Sequence, residues 1–332
     1  MFAYIYHILQ QMKMKNKLLI ILMAVGLVFM PTNGFGQTAP DLGVASAFVL
    51  FTASGSFVSN GATHITGNIG GFTVVPVVNA PGIVTGTVYN PSDPISSTAA
   101  SAVGAAYTDL FGRTPTDIIN VGLGGQTLLP GVHSTGSGAA ATLSGNITLD
   151  AQGNPNAVFI IQIDGALTIG VNSNVLLAGS ASSCNVYWQV TDAFSLGDNS
   201  VFRGMLVSGG AIELLEGSTL LGRALTKAGA IELHNNAVTL SEPPIAAAGS
   251  GRVICENEST QLGATAVAGS TYSWTAIPAG FTSTAANPTV TPLITTTYKV
   301  VETNTDTGCS NTNNVVVTVN PPPATSLIFH NL

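Results

Sequence analysis

"GGAIELLEGSTLLGRALTKAGAIELHNNAVTL", residues 209–240, contains the pentapeptide "GAIEL" twice, 19 residues apart. The same frame is present upstream as "DGALTIG" at 164–170 and "TDAFSLG" at 191–197, aligned on Ala166, Ala193, Ala211 and Ala230. "GNITLD" at 145–150 fits it as well. Spacings of 18 and 19 residues between the last members are the signature of a solenoid in which each repeat is one coil. Short strands flank the motif. "AVFIIQI" 157–163, "NVYWQV" 185–190, "GMLVS" 204–208 and "RALTK" 223–227 precede it; "NVLLAG" 174–179, "SVFRG" 200–204, "STLLG" 218–222 and "NAVTL" 236–240 follow it. Three strands and glycine-rich corners per coil predict a triangular β-helix.

Alternation sorts the faces, because successive strand residues point to opposite sides. In "ALTIG" Leu167 and Ile169 point one way and Thr168 the other. The equivalent inward pairs are Ile147/Leu149, Phe194/Leu196, Ile212/Leu214 and Ile231/Leu233. The outward ladder is then Thr148, Thr168, Ser195, Glu213 and Glu232: short hydroxyls ending in two carboxylates. By the same parity Trp188 joins Val186 and Val190 in the core. One segment breaks the β pattern. "SDPISSTAASAVGAAYTDLFGR", 92–113, has Pro94 near its start and an apolar stripe at Ala99, Val103, Ala106, Tyr107 and Leu110. It predicts a long helix, weak by propensity, that needs to pack along the solenoid.

The 332 residues include 37 glycines, and only 8% are charged. Rich in Thr, Ser, Val and Gly, the chain reads as all-β apart from the one helix. Residues 1–36 read as a secretory signal peptide. Lys13, Lys15 and Lys17 precede the apolar run 18–30, and small residues lie at Gly34 and Gly36; Met12 or Met14 are alternative starts. Cleavage removes three of the nine basic residues and none of the sixteen acidic ones, taking the formal charge from −7 to −10. No Lys or Arg lies between Arg113 and Arg203. That excludes nucleic acid as a partner, because nothing there would contact phosphates. No later segment is apolar enough for membrane insertion.

The grammar changes near residue 241. The expected organisation is a solenoid over 37–242, a Pro/Ala/Gly linker at 243–250, a β module over 251–320 and a tail at 321–332. Cys255 and Cys309 both fall in the β module and are the expected disulfide, closing a loop worth about 4 kcal/mol in the chain-entropy model. Cys184 reads as a buried small hydrophobe. Cys255, "YSW" 272–274, "TTTY" 295–298 and "GC" 308–309 carry a resemblance to the PKD-like or Ig-like modules of secreted Bacteroidetes proteins. An Ig-like β-sandwich with Trp274 in its core is what that resemblance implies.

Residues 41–240 resemble the bacterial and fungal ice-binding protein family of the discontinuous β-solenoid type, the domain of unknown function 3494 class. The residues that carry this include "LGVASAFVLFTASG" 42–55, "ITGNIG" 65–70, the helix, "LLPGVHSTG" 128–136, "NPNAVFIIQIDGALTIG" 154–170 and "GSTLLGRALTKAGAIEL" 217–233. The resemblance implies an irregular right-handed β-helix with a parallel helix alongside, its end closed by the N-terminal segment. It also implies a secreted monomer that adsorbs to an ice crystal surface through one flat face. Glu213 and Glu232 depart from the small residues usual in such ladders. On an ice face they imply modest activity; if another face binds, they are a solvated edge.

Two other readings stay open. An adhesin would use the same solenoid without ice activity, with cell-surface or glycan contact through the C-terminal module. A polysaccharide-acting β-helix enzyme would need clustered carboxylates. Asp150, Asp164, Asp192 and Asp198 are available, but they sit beside turn residues, where Asp stabilises corners. His64, His133 and His234 show no metal-ligand spacing, and no nucleophile elbow or phosphate loop is present. The sequence therefore implies no enzyme, cofactor or metal.

Overall fold

Three short parallel strands make each solenoid coil, and burial on their faces differs from side to side. The computed structural model describes residues 37–136 and 138–322, so the expected signal peptide and nearly all of the expected tail lie outside the described residues. One side is a seven-stranded sheet of two- to four-residue strands. Its Ala141–Leu143 and Leu167–Ile169 show the buried–exposed–buried pattern of a sheet with one solvated face. A second side reads as continuously buried in Phe159–Ile163 and Val186–Val190. Its inner residues, including Phe159, Ile161 and the fully buried Trp188, fill the coil interior. Its outer residues, including Ile160, Tyr187 and Val207, lie under the helix. The third side carries Asn146–Asp150, Asn174–Ala178 and Ala237–Thr239.

The second and third sides merge into one sheet where Val201–Ser208 and Thr219–Thr226 run unbroken around a corner. The bend falls at Gly204 and Gly222, with φ of +115° and +151°. A Cβ on Gly222 would lie 1.8 Å from the Gly204 carbonyl oxygen, so two coils meet here backbone to backbone.

Stacking order differs from chain order. Phe48–Thr52 pairs with the last coil (Leu50↔Ala224), as do Phe57–Asn60 (Phe57↔Ile231) and His64–Thr66 (His64↔Ala237). The N-terminal segment therefore covers the C-terminal coil. Arg223 fastens it there, its Nε and Nη2 donating to the Ser46 carbonyl at 3.1 and 2.8 Å. Burial pushes this guanidinium below its ordinary pKa, against the opposing pull of Glu242 and Tyr187. After Val88–Tyr89 the chain must return to the far end, where Asp117 pairs with His133. The connection is the helix Pro94–Phe111, 18 residues and so about 27 Å long. Its buried stripe is Ser96, Ala99, Val103, Ala106, Tyr107 and Leu110, the expected face plus one serine. Gln162 caps its end, Nε2 donating to the carbonyls of Leu110 and Arg113 at 2.7 and 2.8 Å.

Beyond residue 250, a five-stranded sheet and a two-stranded sheet enclose Trp274, Tyr298, Val300 and Val317. Trp274 Nε1 donates to the Ala285 carbonyl at 2.9 Å. The stretch expected as a linker is packed into this core: Ala246 and Ala248 are buried, and the Ala246 N–H donates to Glu302 Oε2 at 3.0 Å. From Gln37 onward the described chain is one compact unit.

The expected Cys255–Cys309 disulfide is not formed. Cys309 bonds to Cys184, and Cys255 is free and exposed. The sheet register explains why. Cys255 pairs with Asn320 at one end of Ser310–Asn320, while Cys309 precedes its other end. Eleven residues of strand, about 36 Å, separate them, far beyond disulfide reach. Cys184 is thus a cross-link between the solenoid and the C-terminal sheets, not a small core hydrophobe. Around it the Ser183 N–H donates to Thr307 O at 2.8 Å and Arg203 Nε to Asp306 O at 3.2 Å.

Candidate functional site

The seven-stranded side is the most regular surface of the molecule. Its short strands put one residue outward between two buried ones. Ile212, Leu214, Ile231 and Leu233 are at most 1% exposed, so the outward residues stand on a fixed base. Parallel pairing places Thr142, Thr168, Ser195, Glu213, Glu232, Val58 and Val77 in one column. Two residues earlier on the same strands, Ala140, Ala166, Ala193, Ala211, Ala230 and Ser56 form a flanking column, each exposed or half-buried. Strand spacing repeats this pattern about every 4.8 Å. The doubled "GAIEL" follows from the stacking: a Cβ on Gly229 would lie 2.5 Å from the Ala211 nitrogen, so successive coils leave no room for a side chain at this corner.

Four of the five expected ladder residues, Thr168, Ser195, Glu213 and Glu232, share that column. Thr148 does not belong to it. Thr148 lies on the third side, paired with Thr127 and Leu176, and is half-buried. Thr142 occupies the place expected for it. The coil between Thr142 and Thr168 is longer than the later ones, and Ala141 is a weaker inward signal than Ile147. The usable clue was "AATLSG" at 140–145, which repeats the Ala-x-Thr spacing of Ala166 and Thr168.

The column divides into two halves. Thr142, Thr168 and Ser195 with their alanines are small and uncharged. Glu213 and Glu232 follow; Glu213 Oε2 accepts from Ser195 Oγ at 3.4 Å, and His234 Nε2 lies 3.5 Å from Glu232 Oε1. The carboxylates expected at corners act there. Asp150 Oδ1 accepts from the Gln152 N–H at 2.8 Å and Asp164 Oδ2 from the Gly138 N–H at 2.7 Å. His133 is buried with Nδ1 2.5 Å from Asp117 Oδ1 and Nε2 2.7 Å from the Leu129 carbonyl, so both ring nitrogens are engaged in structure. No helix among the described residues is long and apolar enough to cross a membrane.

Known proteins share this arrangement. The family described as ice-binding-like matches residues 51–239. The ice-binding protein of Nostoc sp. (strain HG1) is 34% identical over 232 residues, 69% of this chain and 84% of that protein. That of Flavobacterium frigoris (strain PS1) is 30% identical, over 62% of this chain and 79% of its own. Among solved structures, an ice-binding protein from an Antarctic biological consortium is 37% identical with a TM-score of 0.58, covering 61% of this chain and 92% of its own. The ice-binding protein of the Antarctic ascomycete Antarctomyces psychrotrophicus is 30% identical with a TM-score of 0.57, covering 62% and 100%. The family match spans more than half of the 332 residues, over the strands that build the seven-stranded side, and this chain belongs to the ice-binding-like family.

Proposed function

We propose that the chain adsorbs to ice through the small-residue half of the seven-stranded side, with Thr142, Thr168 and Ser195 as the central contacts. The observation that carries this is the unbroken parallel register of that column beside its alanines. Ice presents neither a charge pattern nor a pocket, so its binder needs a flat, rigid surface with hydroxyls and methyls at regular spacing. Threonine supplies both groups and is stiff at χ1, so docking costs little side-chain entropy. Glu213 and Glu232 shorten the regular patch, which sets the activity at a modest level.

The rest of the reading follows from this one. The protein acts as a secreted, non-enzymatic monomer, its solenoid a right-handed β-helix over 37–242. The sheets at 251–320 form an Ig-like, PKD-like sandwich, available for glycan or cell-surface contact. The test is purified chain without residues 1–36, assayed for ice shaping and for inhibition of recrystallisation at micromolar concentration. Activity is expected, and Thr168→Tyr is expected to lose most of it while far-UV circular dichroism is unchanged. Indifferent crystal growth in the presence of the unaltered protein would sink the ice reading in favour of adhesion.

A further inference from the structure

The charged half of the same side carries a separate chemistry, one that does not depend on ice binding. Glu213 and Glu232 are register partners on adjacent strands. Like charges set directly opposite each other on a sheet are destabilising, and the buried residues on either side of each glutamate prevent the strands from parting. Neither carboxylate is paired with a Lys or Arg among the described residues. Lys227 is held over the Tyr107 ring, 4.2 Å from its centroid, and Arg223 is held at Ser46.

What does approach is an imidazole. His234 follows Glu232 by two residues and faces the same way. One carboxylate oxygen from each glutamate and one ring nitrogen of His234 all lie within 4.8 Å of one another. Oxygen and nitrogen ligands bind a zinc ion at about 2.0–2.2 Å, so donors on opposite sides of one ion stand up to about 4.4 Å apart. Small side-chain rotations bring the three donors to that separation. Glu213 and His234 are half-buried, which limits how far they swing away. This set differs from an acidic surface patch because a neutral nitrogen donor converges with two fixed carboxylates. Mixed nitrogen and oxygen donors select a first-row transition metal over calcium or magnesium.

We infer that Glu213, Glu232 and His234 form a divalent transition-metal site, matched best by Zn²⁺, with its remaining positions open to water. Calorimetric titration of Zn²⁺ into metal-stripped protein lacking residues 1–36 tests it. A Cys255→Ser background is used because that exposed thiol is itself a zinc ligand. One equivalent is expected to bind, undisturbed by excess Mg²⁺. His234→Ala and Glu213→Gln are each expected to weaken it by about tenfold or more. Glu216→Gln is expected to leave it unchanged, since Glu216 faces Asn235 instead. Absence of saturable zinc uptake overturns the site, and so does uptake of equal strength in His234→Ala and Glu213→Gln. The readout is metal uptake alone, so a failed ice assay and a failed metal site are told apart.

Discussion

Thr142 and Thr148 stand six residues apart and on different sides of the solenoid. Thr142 is exposed in the column with Thr168; Thr148 is half-buried beside Leu176. If the seven-stranded side meets ice, Thr142→Tyr breaks its flatness and Thr148→Tyr leaves it intact. Recrystallisation inhibition is expected to fall sharply in the first and to persist in the second, with both proteins folded. Equal losses would refute the choice of side. Alternation within a strand was legible from the residues alone, which is why Thr168, Ser195, Glu213 and Glu232 were found. Which strand stacks on which was less legible for the earlier coils. "ITL" and "ATL" have the same parity, and only the unequal coil lengths decide between them. The same limit hid His234, whose two glutamates converge on it only once adjacent coils are in register.

The helix Pro94–Phe111 was the most legible element. Pro94 at its start and the stripe from Ala99 to Leu110 were both plain, because a helix face is a local property of sequence. Leu110 is fully buried between the helix and the sheet beneath it, while Gly104 has open space around its Cα and an unstrained backbone. Leu110→Ala is expected to cost about 2–5 kcal/mol, through lost burial and the cavity left behind. Gly104→Ala is expected to gain up to about 1 kcal/mol from helix propensity. Urea unfolding of the two variants checks both signs. A neutral Leu110→Ala would mean that the helix is not what closes this side of the core. The long strands were read less well. Gly204 and Gly222 looked like breaks between two strands, but a glycine with positive φ lets one strand turn a corner without ending.

At the scale of the whole molecule the decisive links are distant in sequence, and here residue patterns carried least. The N-terminal segment covers the last coil across 174 residues, from Leu50 to Ala224, and no local signal marks that pairing. The disulfide joins Cys184 to Cys309 across a separation of 125 residues, whereas proximity in sequence had favoured Cys255. Its consequence is a single mechanical unit. Beyond the covalent bond, the solenoid and the C-terminal sheets share the Ser183–Thr307 and Arg203–Asp306 contacts. Burial lowers the Arg203 pKa against the pull of Asp306, and the guanidinium also donates to the Val175 carbonyl at 2.9 Å. Closing a loop of this length constrains the unfolded chain by about 4–5 kcal/mol in the chain-entropy model. The oxidised protein is therefore expected to melt in one transition, with Cys255 its single titratable thiol after unfolding. Replacing both bridged cysteines, Cys184→Ser with Cys309→Ser, is expected to lower the melting temperature and to split the calorimetric trace, since the few remaining contacts cannot hold two cores to one transition. Peptide mapping of the unaltered protein, with Cys184 and Cys309 recovered in one disulfide-linked fragment, is the direct check. A trace that stays single and unshifted in the double variant would show that packing between the two cores, rather than the cross-link, makes them one unit.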